Sequence, residues 1–245
     1  MQTPAATTLT PTRREFTVPP DRDTIITIDG PAGTGKSTVA RELSARIGLD
    51  FLDTGAMYRA AAAIVIDFAI DRDNIEAIVA RVSSADLHFD WAADPPTILA
   101  WDKPIDHRIR DADVTAIVSP IAGIGALREH MVRKQRIIAN QHPRLVSEGR
   151  DQGSVVFPDA DVKFYLDADA TVRAQRRAEQ LRADGRDADV QRLLADIIAR
   201  DHSDSTRQDG PLVCPDNAVV IDTSGLSRAE VVQRLEDEVR ARIEL

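Results

Sequence analysis

Apolar residues form two patterns along this chain: short continuous runs, and longer stretches in which they recur every three or four positions. The short runs lie at 25–28, 51–52, 145–148, 162–166 and 218–221, and they predict buried strands. Strands that alternate with helices favour a parallel β-sheet flanked by helices on both faces. The predicted helices span 36–47, 56–70, 74–82, 111–118, 123–140, 170–183, 188–200 and the segment from 227, where a Ser-x-x-Glu capping box begins.

One region departs from this alternation. Residues 87–89 and 97–101 have the pattern of two antiparallel strands, and an Asp-Pro-Pro turn at 94–96 separates them. Helical spacing resumes at 111, so the departure is local. We interpret 86–105 as a small inserted β-subdomain.

The stretch 24–38 carries the most specific chemistry. A β-branched strand enters a glycine-rich turn that opens a helix, and the turn matches G-x-x-x-x-G-K-[ST]. In such a loop, backbone N–H groups and the helix N-terminus hold phosphates, the lysine reaches the β- and γ-phosphates, and the hydroxyl ligates Mg²⁺. We favour triphosphate binding over the simpler interpretation, a glycine turn that caps a helix. The predicted triphosphate-binding residues are Gly30, Pro31, Ala32, Gly33, Thr34, Gly35, Lys36, Ser37 and Thr38, with Ser37 as the Mg²⁺ ligand through the nucleotide.

Composition narrows the possible partners. The 245 residues carry a formal net charge of −9 and a pI near 5.1, which argues against a general nucleic-acid binder and against docking on anionic membranes. The single cysteine, Cys214, suits a reducing cytoplasm. No apolar run is long enough to span a bilayer. We expect a cytoplasmic protein with a disordered leader over 1–22.

Arginines follow two predicted strands, at the edge of the sheet where ligands bind in open α/β folds. Arg59 lies one turn into the helix after the strand at 51–52, and an Arg150-Asp151 pair flanked by glycines follows the strand at 145–148. A solvated arginine and a structural ion pair are the alternatives. A GTPase switch is disfavoured, because no guanine-reading Asn-Lys-x-Asp segment is present.

Two further groups of arginines have helical spacing. Arg173, Arg176 and Arg177 fall at i, i+3 and i+4, and are predicted to share one face. Arg200, Asp204 and Arg207 share a face if their helix continues past 200. Such a helical pair fits a mobile lid that closes over transferring phosphates; a surface helix with many salt bridges is the alternative.

Together these segments resemble the bacterial cytidylate kinases, which are P-loop nucleoside monophosphate kinases. The resemblance runs from about residue 24 to the C-terminus. It rests on the combination of motifs at 28–38, 52–59, 148–151, 153–160 and 200–207. One departure is Gln152, which stands where the family more often has an aliphatic residue and therefore predicts different packing beside the Arg150-Asp151 pair.

The resemblance implies an architecture and a set of roles. It implies one kinase domain over 23–245, with a core at 23–60, 107–170 and 212–245, a monophosphate-binding region with the β insert at about 61–106, and a lid at about 171–211. Lys36, Arg150, Arg173 and Arg177 are the implied catalytic residues. The implied acceptor-binding residues are Thr54, Arg59, Arg150 and Arg200 for the 5′-phosphate, Asp204 for the ribose, and Ser119, Arg128, Asp151 and Arg207 for the cytosine.

The implied reaction is transfer of a phosphoryl group from ATP, with Mg²⁺, to CMP or dCMP. The expected partners are these small nucleotides, with neither nucleic acid nor membrane, and the expected state is a monomer. Two alternatives stay open: another P-loop small-molecule kinase, such as a UMP kinase, and a nucleotide-dependent switch ATPase. The acceptor-side arginines discriminate, because a switch needs none of them.

Overall fold

The computed structural model describes residues 16–183 and 185–243. Its centre is a five-stranded sheet with the strand order β2-β6-β1-β7-β8, and every neighbouring pair in it is parallel. The predicted parallel sheet is therefore confirmed. Its strands are β1 (Thr24–Asp29), β2 (Asp50–Asp53), β6 (Arg144–Glu148), β7 (Val162–Asp167) and β8 (Val219–Asp222).

Eight α-helices accompany the strands in the described part of the chain. Glycine ends the first of them where predicted, since Gly48 takes a left-handed conformation with φ 72°. The capping box at Ser227 and Glu230 also forms. The helices are α1 (Lys36–Ile47), α2 (Thr54–Asp67), α3 (Ile75–Ser84), α4 (Ala112–Ala122), α5 (Gly125–Gln141), α6 (Ala170–Ala183), α7 (Val190–Thr206) and α8 (Arg228–Ile243).

The sheet separates two apolar cores, because successive side chains of a strand point to opposite faces. Val146 packs with α1 and α8, while its neighbour Leu145 packs with α2, α4 and α5. Both residues are fully buried. Because these strands are parallel, the carboxyl ends of β1, β2 and β6 meet at one edge, and the loops there hold the candidate site.

The inserted β-subdomain is confirmed. Strands β3 (His88–Asp90) and β4 (Thr97–Ala100) pair antiparallel, and a two-residue strand β5 (Lys103–Pro104), which the pattern did not predict, adds to β4. No helix in the described ranges is long and apolar enough to cross a membrane.

Two local expectations need correction, and one local feature was not predicted. Phe16 and Val18 are buried against the core beside α1, so a disordered leader over 1–22 is wrong for residues 16–22, while residues 1–15 lie outside the described part. Helix α4 continues through Pro120 instead of ending at 118. A π-helical turn at Gln152–Val156 was not predicted.

Candidate active site

The loop between β1 and α1 has the backbone that its glycines permit. Gly30, Gly33 and Gly35 have φ values of 144°, 84° and 89°, which residues with a Cβ rarely adopt. At Gly30 a Cβ would also collide with the carbonyl oxygen of Leu166. The shape of this loop therefore depends on glycine at these positions.

Lys36 is buried inside this loop, with 5% of its surface exposed. Its Nζ donates to the Pro31 carbonyl at 2.7 Å and lies 3.5 Å from the Thr34 hydroxyl. Burial, and then the charge of Arg150, lower the pKa of Lys36 to about 7. The ammonium would gain strongly from an anion at this point, as a phosphate-binding lysine does.

Ser37 leads to a residue that the sequence reasoning missed. Its hydroxyl donates to Glu148 Oε1 at 2.7 Å, and Glu148 is 4% exposed at the end of β6. Burial and the neighbouring carboxylate of Asp53 raise the pKa of Glu148 to about 7. Hydroxyl and carboxylate oxygens are the donors that Mg²⁺ prefers, so these residues fit the predicted ion. No group of three or more His, Cys, Asp or Glu side chains within 16–183 and 185–243 could hold a metal ion.

Asp204 gathers side chains from three separate segments. It is 3% exposed, on the last turns of α7. Arg150 Nε donates to its Oδ2 at 2.9 Å, and Ser119 on α4 donates to its Oδ1 at 2.9 Å. Arg200 Nε lies 3.9 Å away and Arg207 Nη1 4.0 Å away. The expected shared face of α7 is confirmed for Arg200 and Asp204, because the helix continues to Thr206.

The arginines beside the phosphate loop act on one another. Burial, and then the charge of Arg150, lower the pKa of Arg200 to about 10. Burial and Arg110 lower the pKa of Arg59, with smaller contributions from Arg177 and Arg150. Buried like charges are expensive to hold together without an anion between them. This grouping therefore favours a doubly charged ligand such as a phosphate monoester.

Arg59 and Thr54 lie on the first turns of α2, beside the same edge of the sheet. Arg59 Nη1 donates to the Thr115 hydroxyl at 3.0 Å and to the Ile109 carbonyl at 3.2 Å. The buried Thr54 hydroxyl donates to the Glu148 carbonyl at 2.7 Å. Both therefore hold neighbouring segments in place.

Arg128 and Asp151 form a buried ion pair, with exposures of 4% and 2%. Arg128 Nη1 also donates to the Ala122 carbonyl at 3.1 Å. Gly210, in the segment after α7, lies directly against the pair, and a Cβ there would collide with both side chains. Arg207 donates to the Gly210 carbonyl. Gly210 therefore lies between two clusters: Arg128 paired with Asp151, and Asp204 with Ser119 and Arg207.

The three arginines of α6 do not share one environment. Arg173 is buried and donates to the Ala32 carbonyl of the phosphate loop at 2.9 Å, and it pairs with Asp201 at 2.7 Å. Arg177 is exposed. Arg176 donates to the Thr223 carbonyl at 2.6 Å, in the loop before α8, whereas Arg173 contacts the phosphate loop.

A second missed residue is Asp29, the last residue of β1. Its buried carboxylate accepts backbone N–H groups of Gln152 at 2.8 Å and Gly153 at 2.7 Å. Burial raises its pKa to about 6. Asp29 thus ties the π-helical turn after Asp151 to the start of the phosphate loop; its place just before Gly30 was the only signal in the sequence.

Known proteins are similar to this sequence over most of its length. The profile of the cytidylate kinase family matches residues 26–241. The cytidylate kinase of Mycolicibacterium paratuberculosis is 41% identical over 223 residues, which cover 91% of this chain and 98% of that protein. The cytidylate kinases of Methylococcus capsulatus and Rhodococcus opacus are each 44% identical, over 85% and 86% of this chain and 93% and 92% of theirs. With the phosphate loop and the arginine clusters in place, the chain belongs to the cytidylate kinase family.

Proposed function

We propose that this protein transfers the γ-phosphoryl group of ATP to CMP or dCMP, giving ADP and CDP or dCDP. The observation that carries this proposal is the position of Arg150. Its charge acts on Lys36 in the phosphate loop, and its Nε bonds Asp204 in the second cluster at 2.9 Å. An arginine between two anion-binding groups fits transfer between two phosphates.

On the donor side, residues 30–38 hold the triphosphate of ATP. Lys36 exchanges its bond to the Pro31 carbonyl for the β- and γ-phosphate oxygens. Ser37, with Glu148 beside it, would hold the Mg²⁺ of the nucleotide, whose charge offsets that of the phosphates. Arg173 and Arg177 are assigned to the lid side, where Arg173 already contacts the loop through Ala32.

On the acceptor side, Thr54, Arg59, Arg150 and Arg200 hold the 5′-phosphate and Asp204 the ribose. No general base is required, because the attacking phosphate oxygen is already an anion. Alignment of the two phosphates and neutralisation of their charge account for catalysis.

The base is assigned to Ser119, Arg128, Asp151 and Arg207. A carboxylate at Asp151 accepts a hydrogen bond from the 4-amino group of cytosine, whereas uracil presents a carbonyl oxygen there. A site built to pair that amino group disfavours uracil, because its buried polar groups would be left unpaired.

The experiment is coupled ADP release with ATP–Mg²⁺ and a panel of CMP, dCMP, UMP, AMP and GMP. We expect ADP release to depend on CMP or dCMP, with UMP weaker. Preference for UMP would instead support a UMP kinase. Release of ADP independent of every monophosphate would support a nucleotide-dependent ATPase and exclude the kinase.

We further propose a cytoplasmic monomer that acts on small nucleotides without nucleic acid or membrane. The acidic pI near 5.1 argues against nucleic-acid and membrane partners, and the single cysteine suits a reducing cytoplasm. Light scattering after gel filtration should give a mass close to 26.9 kDa, and a doubled mass would contradict it.

A further inference from the structure

A chain of buried hydrogen bonds runs behind the Arg128–Asp151 pair. Ser147 Oγ donates to Gln152 Oε1 at 2.8 Å, and Gln152 Nε2 donates to Gln135 Oε1 at 3.2 Å. Ser147, Gln152 and Gln135 are each fully buried. Because the Gln135 oxygen is turned toward Gln152, its amide nitrogen is turned away from it.

Two buried donors lie at the end of this chain. Gln135 Nε2 and the Tyr58 hydroxyl lie close enough to act on each other, but neither makes a hydrogen bond of ordinary geometry with any described residue. Tyr58 is 8% exposed, and burial raises its pKa to about 12, so the hydroxyl keeps its proton and remains a donor. Unpartnered buried donors are rare because each one loses its bonds to water, and they call for an explanation.

Both donors lie beside the Arg128–Asp151 pair. The Arg128 guanidinium carbon lies 5.3 Å from the centre of the Tyr58 ring, and the charges that act on the Tyr58 hydroxyl are those of Arg128, Asp151 and Arg207. Gln135 lies seven residues after Arg128 on α5, two helical turns along the same face.

We propose that the Tyr58 hydroxyl and the Gln135 amide donate hydrogen bonds to the carbonyl oxygen on carbon 2 of a pyrimidine base. This inference rests on the proposed function and extends it. Cytosine and uracil both carry this oxygen, whereas adenine has a hydrogen at carbon 2. The donor pair therefore selects pyrimidines over adenine, while Asp151 distinguishes cytosine from uracil.

Tyr58→Phe tests the proposal, because it keeps the ring against Arg128 and removes only the hydroxyl. We expect kcat/KM for CMP and for UMP to fall by the same factor, about five- to tenfold, with the inhibition constant of AMP unchanged. Equilibrium titration with CMP should show the same loss of affinity. Tyr165→Phe, which removes the other tyrosine hydroxyl of the chain from β7, is the matched control and should leave all values unchanged.

Gln135→Met provides the second variant. It should produce the same pyrimidine-selective loss, and the double variant should lose less than the product of the two single losses, because both donors bind one oxygen. Thermal melting of each variant shows whether it folds.

Three outcomes would overturn the inference: unchanged CMP affinity in Tyr58→Phe, an equal loss for CMP and AMP, or a changed CMP-to-UMP ratio. Wild-type protein that releases no ADP with any nucleoside monophosphate would refute the proposed function and this extension together. Wild-type turnover of CMP with an unaffected Tyr58→Phe variant would refute the extension alone.

Discussion

The donor and acceptor sides of this active site are built in different ways. The donor side is one contiguous stretch, 30–38, whose backbone shape follows from three glycines with positive φ. The acceptor side takes side chains from α2, α4, α5, the loop after β6 and α7, and these side chains are held mainly by ion pairs with one another. The first is a local structure, and the second exists only because the fold brings distant segments together.

This difference has a consequence for substitutions. In the proposed mechanism the charge on Lys36 acts where phosphoryl transfer takes place, so its loss should lower turnover. Arg200 and Arg207 share Asp204 as a partner, and on the proposed assignment each should affect binding of the acceptor more than turnover. The following predictions test that division, from the largest expected effect to the smallest.

Lys36→Ala should lower kcat by about 100-fold or more, because it removes a preorganised charge from the transferring phosphate. Steady-state kinetics with saturating ATP and CMP measure the effect. The exposed Lys103→Ala on β5 is the control, and near-normal turnover of Lys36→Ala would show that Lys36 lies away from the chemistry.

Arg200→Met should raise KM for CMP by about 10- to 100-fold and leave KM for ATP nearly unchanged, because a charged hydrogen bond to the acceptor phosphate is lost. The matched control is Arg192→Met, an exposed arginine earlier on the same helix. An equal rise in KM for both nucleotides would contradict the proposed division between the donor and acceptor sides.

Asp151→Asn should reduce the ratio of kcat/KM for CMP to that for UMP by about tenfold, because an amide can both accept from cytosine and donate to uracil. The substitution keeps the size of a side chain packed against Arg128. An unchanged ratio, with the melting temperature preserved, would remove Asp151 from base recognition.

The pH dependence of the free energy of unfolding tests the burial of Lys36 on the donor side. Lys36 has a folded pKa near 7, while the unfolded chain holds this proton to about pH 10.5. The unfolded state therefore binds more protons between these values, and stability without nucleotide should rise from pH 7 to pH 9 by on the order of 1 kcal/mol per unit. Urea midpoints measure this rise. Lys36→Met should flatten the profile, and an equally steep rise in that variant would assign it to another group.

Sequence patterns predicted local features of the structure better than contacts between distant residues. The phosphate loop needs only its own glycines, lysine and serine, and its geometry agrees with the motif. Helical spacing placed Arg173, Arg176 and Arg177 on one helix but could not say what each would meet. The structure directs Arg176 to Thr223, 47 residues away in sequence.

Long-range partners explain the other differences. Phe16 and Val18 stand in a segment of polar, proline-rich character, and only the packed core shows that they are buried. Glu148 and Asp29 looked like ordinary strand-end carboxylates. Their raised pKa values arise from burial, which the sequence does not display.

The amino-acid sequence by itself determined the alternating α/β architecture, the phosphate loop and the membership of a kinase family, because each of these follows from short motifs and local patterns that need no knowledge of which segments meet. Only the tertiary structure decided that Asp204 joins Arg150, Arg200 and Ser119, and that Arg128 pairs with Asp151. Except for Arg200, which lies on the same helix as Asp204, these contacts join residues that are 23 to 85 positions apart in the chain. They form because the parallel sheet brings the ends of its strands to one edge and α4, α5 and α7 pack around that edge.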